Sequence, residues 1–379
     1  MTDAAPAPPV GRPLASTGVF LGTFAAILGL IVALLVLDLA LARIDREERR
    51  RQAANAFAQG RALLAAGRPA DAADRLATAT TLERDNVGYG LALAQALLAN
   101  GKAADAEEIL NRLLDRARND GAVNLTMARL LASTARKSDA KAFYHRAIYG
   151  RWGSDSIARR TAARFELIDL LARQRAHEEL LAELLPLQSA PADSAALLAR
   201  LGPLYLRADS PSRAAEAYRA LLRRSPSNAD AYAGLGEADL ALGQFQAGRA
   251  AFRSAVRARP SDSSIVRRLR VIDSVLALDP TGRGLSDAAR LTRSQALLER
   301  TLVALGACAA ADTVAADVAV LDSARAERAA PKPRGDLTAV TERKLSLAET
   351  LWRMRPADCV LPTGEQSDIL ELLQRSISR

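Results

Sequence analysis

The chain has 379 residues, 49% hydrophobic but only 4% aromatic. Its bulk of Ala, Leu and Arg argues for helices packed through small side chains and against a β-rich fold. The net charge of +9 comes from 52 basic residues interleaved with 43 acidic ones, with no basic block beside stacking aromatics, which argues against nucleic-acid recognition.

A short amino-terminal tail, residues 1–17, precedes the first predicted element, a transmembrane helix over 18–42. No charged side chain occurs from Pro13 to Leu37, a run long enough to cross a hydrocarbon core as one helix. A cleaved signal peptide would have a shorter apolar region followed by a small-residue cleavage site. Here Asp38 and the charged stretch Arg43 to Arg51 continue the helix instead, so an uncleaved anchor is expected. The flank after the span carries Arg43, Arg46, Arg49, Arg50 and Arg51, against Arg12 alone before it. The positive-inside rule then favours a cytoplasmic body. Gly18, Gly22 and Gly29 place small residues near one face of the span, the pattern by which membrane helices pack closely.

Beyond the span the sequence repeats with a step of 34 residues. Gly67 and Gly101 are one step apart, as are Ala72, Ala106 and Ala140, and Leu76, Leu110 and Tyr144. Farther on, Leu201-Gly202 becomes Leu235-Gly236, Tyr218 becomes Phe252, and Pro226 becomes Pro260. This period fits a helix–turn–helix unit that cannot bury its apolar face alone and so stacks on copies of itself. Gly202 and Ala214 sit where two helices cross, and Pro226 and Pro260 close the second helix.

These residues resemble the tetratricopeptide repeat family. The clearest unit reads Tyr232, Leu235-Gly236, Gly243, Phe245, Phe252, Ala255 and Pro260, departing from the family at Gly248 and Asp239. The expected body is an α-solenoid over 43–280, with repeats at about 53–86, 87–120, 121–154, 195–228 and 229–262. A degenerate pair fills 155–194 and a capping helix 263–278. The resemblance implies a groove that holds protein segments. Its inner wall is expected to carry Phe57, Leu64, Leu91, Gln95, Leu98, Leu125, Arg129, Leu206 and Leu240, suited to an amphipathic helix or an apolar extended segment. The basic and Asn clamp with which some members hold chaperone tails is missing: its positions carry Leu91, Gln95, Leu125, Arg129, Ala233 and Glu237.

After the turn cluster Asp279 to Gly284 comes a carboxy-terminal helical region, residues 281–379. Helices are predicted over roughly 286–308, 311–328, 337–355 and 366–377, capping the stack. Cys308 and Cys359 lie near two helix ends that run parallel. A disulfide, which would require an oxidising compartment, and two buried thiols both remain open at this point.

No catalytic constellation is legible. Gly88-Tyr89-Gly90 lacks the strand and the third glycine of a dinucleotide loop. His145, expected to pack, and His177 have no nucleophile at readable spacing. Catalytic residues, metal ligands and cofactors are therefore all expected to be none, and so is a small-molecule substrate. The sequence reads as an all-α, single-pass protein of a bacterial inner membrane, touching lipid through its anchor. It would serve as a scaffold for protein partners, subunits of an integral membrane complex, as accessory subunit or assembly factor. Two other readings are a periplasmic chaperone-like holdase and a basic surface for anionic lipid or nucleic acid.

Overall fold

In the computed structural model, the described residues are 16–188, 194–306, 315–331, 335–354 and 364–377. They form 17 helices and no strand. The chain divides into two compact units, residues 1–167 and 168–379, each described by itself.

The first unit begins with α1, Ser16–Ala65, a single helix of 50 residues, about 75 Å long at the α-helical rise. Nothing interrupts it between Gly29 and Gly60, a stretch free of Gly and Pro. The i,i+4 pairs Arg49–Asp45 and Arg51–Glu47, with Gln52 donating to Glu48, support its charged middle. Its apolar part is bare: Phe24, Ile31, Leu37 and Leu41 are each at least 49% exposed, whereas Ala53 is fully buried. From there α1 packs on α2, Pro69–Leu82. A Cβ on Gly60 would come 2.5 Å from the Leu76 side chain, so only a hydrogen fits at that crossing.

Helices α3, Val87–Ala99, and α4, Ala103–Arg116, form the next hairpin, followed by α5, Gly121–Ser133, and α6, Lys137–Tyr149. Asn86 and Asp120 cap α3 and α5 by accepting from backbone N–H groups of the first turn. After α6 the chain turns back. Gly121 N donates to Arg151 O at 2.8 Å and Arg151 N to Asn119 O at 2.7 Å. Trp152 lies over Gly121 and donates from Nε1 to Ala147 O at 2.8 Å, so it closes the hairpin edge. Then α7, Ser156–Gln174, begins.

The unit boundary falls inside α7. The second unit continues with α8, His177–Gln188; α9, Ala195–Arg207; α10, Pro211–Arg224; α11, Ala229–Ala241; α12, Phe245–Ala258; and α13, Ser263–Leu278. Ser194, Asn228 and Asp262 cap α9, α11 and α13. Aromatic rings fill the helix crossings beside glycines: Tyr218 against Gly202 and Gly234, and Phe252 against Gly236.

The repeat can be measured from the backbone. Within the hairpins, the residue that follows the first helix is left-handed: Gly67, Gly101, Ala135, Arg175, Asp209 and Gly243 all have φ between 51° and 76°. This geometry ends a helix and reverses the chain. Successive members are 34 residues apart except Ala135 and Arg175, which are 40 apart. Six extra residues therefore enter between α6 and the equivalent part of α7.

Four more helices follow: α14, Asp287–Gly306; α15, Ala315–Ala329; α16, Leu337–Arg353; and α17, Glu365–Ile377. They share one core with the last repeat. Val271, Ile272 and Val275 of α13 cluster with Leu297, Leu298, Ala348, Leu351, Ile369 and Leu373. The carboxy-terminal helices thus cap the repeats. Lys344 of α16 is buried, pairs with the Glu327 carboxylate at 3.2 Å and donates to its backbone oxygen at 2.7 Å.

Candidate protein-interaction surface

The first helices of successive hairpins touch one another directly, and the residues that join them mark one face. In the first unit the Phe57 ring of α1 packs on the Tyr89 ring of α3, centroids 4.7 Å apart. Gln95 of α3 reaches Thr126 of α5 at 3.5 Å. Arg129 of α5 holds Glu166 of α7 through two bonds of 2.9 and 2.6 Å. The Glu166 hydrogen bond is the main cause that raises the Arg129 pKa above its ordinary value. Leu64, Leu91 and Leu98, on α1 and α3, are half-buried. Arg61 is exposed, lies 6.0 Å from the Phe57 ring centre, and has no acidic partner among the described residues.

The same ladder recurs in the second unit. Arg200 of α9 faces Asp169 of α7 at 3.9 Å, and Arg268 of α13 forks onto Glu237 of α11 with two bonds of 2.7 Å. Gln95–Thr126, Asp169–Arg200 and Glu237–Arg268 each link residues 31 apart, one position on the first helix reaching another on the next. Arg129–Glu166 spans 37 because of the six extra residues. At Pro203 and Gly234 the ladder lapses, since neither residue carries a polar side chain. Nearby, Asp239 is buried against Arg219 at 3.1 Å. Burial raises its pKa and Arg219 opposes the rise.

Of the residues expected on the inner wall, Phe57, Leu64, Leu91, Gln95 and Leu98 are half-buried in the first unit and Leu206 in the second. Leu125 and Leu240 differ from expectation: at 8% and 3% exposed they belong to the wall's interior, and Leu240 packs at the crossing beside Gly248. Arg129 is engaged by Glu166, so it shapes the wall more than it offers charge. Tyr89, Arg61, Glu166 and Arg268 were not singled out from sequence. The step of 31 between polar residues was the signal that could have found Arg268; Glu166 lies 37 from Arg129 and escapes it.

His145 is exposed on α6, unlike the packing role expected of it. Nδ1 of His177, at the start of α8, lies 2.6 Å from Arg207 O. Among the described residues no group of three or more His, Cys, Asp or Glu side chains is placed to hold a metal. Cys308 and Cys359 lie outside the described residues. Gly18 and Gly22 fall in the first turns of α1, where side-chain surroundings are not described, and Gly29 has open space around it.

A helical hairpin stack with a self-paired inner face is the architecture of a protein-binding repeat. Two tetratricopeptide repeat family models match the chain, at residues 63–130 and 199–263, one in each unit. The chain contains tetratricopeptide repeats, a module that mediates protein–protein interactions. No curated protein matches it. Among solved structures, the carboxy-terminal part of a repeat protein from Cytophaga hutchinsonii is 11% identical, with a TM-score of 0.46, over 64% of this chain and 94% of that one. YrrB, a repeat protein described as having an unusual peptide-binding site, is 12% identical, with a TM-score of 0.41, over 52% and 99%. PilW, a type IV pilus biogenesis factor, is 14% identical, with a TM-score of 0.40, over 57% and 98%. At these identities and TM-scores no function is transferred.

Proposed function

We propose that this chain is a non-catalytic scaffold, anchored in a bacterial inner membrane, that holds subunits of an integral membrane complex as accessory subunit or assembly factor. The observation that supports this reading is the continuity of α1. One helix carries a bare apolar segment, then a charged stretch, then the first wall of the repeats, with no joint between them. A groove built on such a helix stays close to the bilayer, which raises the effective concentration of partners already in it. The Phe57–Tyr89 pair, with Leu64, Leu91, Leu98 and Arg61, suits an amphipathic helix or an apolar segment bearing a carboxylate. The arginine-rich flank of α1 favours a cytoplasmic body. Gly18, Gly22 and Gly29 would let a partner's membrane helix approach α1 closely.

The test is affinity capture of the full chain from native membranes in mild detergent. The expected result is one stoichiometric set of integral membrane proteins, diminished by Arg61→Glu or Leu98→Asp in chains with unchanged helical content. Many sub-stoichiometric clients, together with a Cys308–Cys359 disulfide seen on gels without reductant, would favour the periplasmic holdase. Recovery of a soluble chain lacking α1's apolar part would show a cleaved signal sequence and overturn the anchor.

A further inference from the structure

The first unit has a definite edge on the side from which α1 arrives, and a chain of contacts traces it. Arg50 of α1 meets Glu83 at the end of α2, at 3.5 Å. Arg116, at the end of α4, bonds to Arg84 O at 3.1 Å and to Asp85 at 2.7 Å. The loop after α4 pairs with the loop after α6 through Asp120 and Arg151. The three loops 83–86, 117–120 and 150–155 therefore lie side by side, beginning at residue 50 of α1. Residue 50 stands nine residues beyond Leu41, the end of the apolar segment, or about 13 Å along the helix. The opposite edge, made by the hairpin turns at Gly67, Gly101 and Ala135, points away.

What this near edge displays is unusual for a solvent-facing rim. Ile157 is 81% exposed and Tyr149 71%, its hydroxyl accepting from Arg164 at 3.4 Å with that guanidinium 5.9 Å from the ring centre. Around them the exposed side chains of Arg84, Arg118, Arg151 and Arg159 have no acidic partner among the described residues; Glu83, Asp85 and Asp120 are occupied by Arg50, Arg116 and the α5 cap, and one further carboxylate, Asp155, is exposed on the last of the three loops. On the far edge Arg68 and Arg136 are paired with carboxylates, Lys102 and Lys137 are exposed cations, and among the described residues no large apolar side chain is exposed at the turns.

We infer that this edge of the first unit rests on the membrane surface, with Tyr149 and Ile157 in the headgroup layer and the four arginines on anionic lipid. The inference builds on α1 being an anchor. Amphipathic aromatic rings and arginines are the side chains that settle at a bilayer interface. The gap is short enough to close: the headgroup layer takes up several Å of the 13 Å or so, and membrane helices tilt by about 20° on average. Charges still attract over a Debye length of about 8 Å at physiological salt. Contact at both ends, through α1 and through α7's start, would hold the groove at one fixed angle to the bilayer.

The experiment places a photo-crosslinking side chain at one of three positions in the full chain, each reconstituted in nanodiscs with and without anionic lipid. Position 32 tests the anchor, position 157 the edge, and position 102 the far side. The expected pattern is lipid adducts at 32 in every disc, at 157 mainly in anionic discs, and none at 102. Combining Arg118→Glu, Arg151→Glu and Arg159→Glu should reduce the adducts at 157 by at least tenfold, since each basic residue near such a surface accounts for roughly fivefold in binding. Adducts at 32 without any at 157 would overturn the edge contact and leave the anchor standing. No adduct at 32 would overturn both. Adducts at 157 to protein rather than lipid, in native membranes, would make the edge a protein interface and overturn the proposal.

Discussion

The ring of Tyr218 occupies the space a side chain on Gly234 would need: a Cβ there would come within 2.1 Å of the ring's Cζ, and one on Gly202 within 2.5 Å. One aromatic from α10 thus fills the notch between α9 and α11, locking three helices. Gly234→Ala forces the ring or a helix to move. A loss of about 1–3 kcal/mol is expected for overpacking of this kind. The check is the denaturation midpoint with an unchanged slope, and Gly234→Ala combined with Tyr218→Leu should recover part of the loss.

Burial of that phenol, with Glu237 nearby as a lesser cause, pushes its pKa up from 10.0 to about 12. The folded state therefore keeps a proton that the unfolded chain loses above pH 10. Stability from this group is fully present below pH 10 and is lost as pH rises toward 12, by about 1 kcal/mol per pH unit. Tyr218→Phe should flatten the stability profile over that window relative to the parent, as read by chemical denaturation at pH 9 to 11.5.

Ala135 holds φ at 62°, where its neighbours in the repeat, Gly67, Gly101 and Gly243, have no Cβ to strain. Left-handed geometry costs a residue with a Cβ about 1 kcal/mol. Ala135→Gly is expected to stabilise the first unit by roughly 0.5 kcal/mol, once the greater freedom of Gly in the unfolded chain is subtracted. Thermal unfolding would show a rise of a degree or more; a fall would mean the turn is not strained.

Arg129 and Glu166 join α5 to α7 by a bidentate pair whose side chains remain 49% and 31% exposed. Solvent screens such a pair, so a double-mutant cycle with Arg129→Met and Glu166→Gln should give a coupling of only about 0.5–1 kcal/mol. The coupling should shrink further in 1 M salt. A coupling that persists there would mean the pair is held by packing.

The spacing of Ala72, Ala106 and Ala140, and of Gly202 and Gly236, was enough to read an all-α repeat, because a helix crossing admits only small side chains and so repeats its signature with the fold. The degenerate pair expected at 155–194 is forty residues long and so already held the six extra residues, but their place ahead of Arg175 was not read. The fourth hairpin has Ile168 where others have a small residue, and its left-handed turn is made by an arginine that carries no turn signal. The burial of the expected wall residues was legible only in part. Phe57 and Leu91 lie on the wall's surface, but Leu125 and Leu240 keep the same helical spacing and are buried, because their burial depends on what the next hairpin packs against them.

By itself the sequence determined the period, the helical class and the uncharged run ahead of the repeats, all of which are local properties of composition and spacing. Only the tertiary structure decided that Glu166 answers Arg129 and Arg268 answers Glu237, and that Tyr149 and Ile157 stand exposed on one edge. Each of these depends on which helix lies beside which, a matter of packing between residues 30 or more apart that no local pattern encodes.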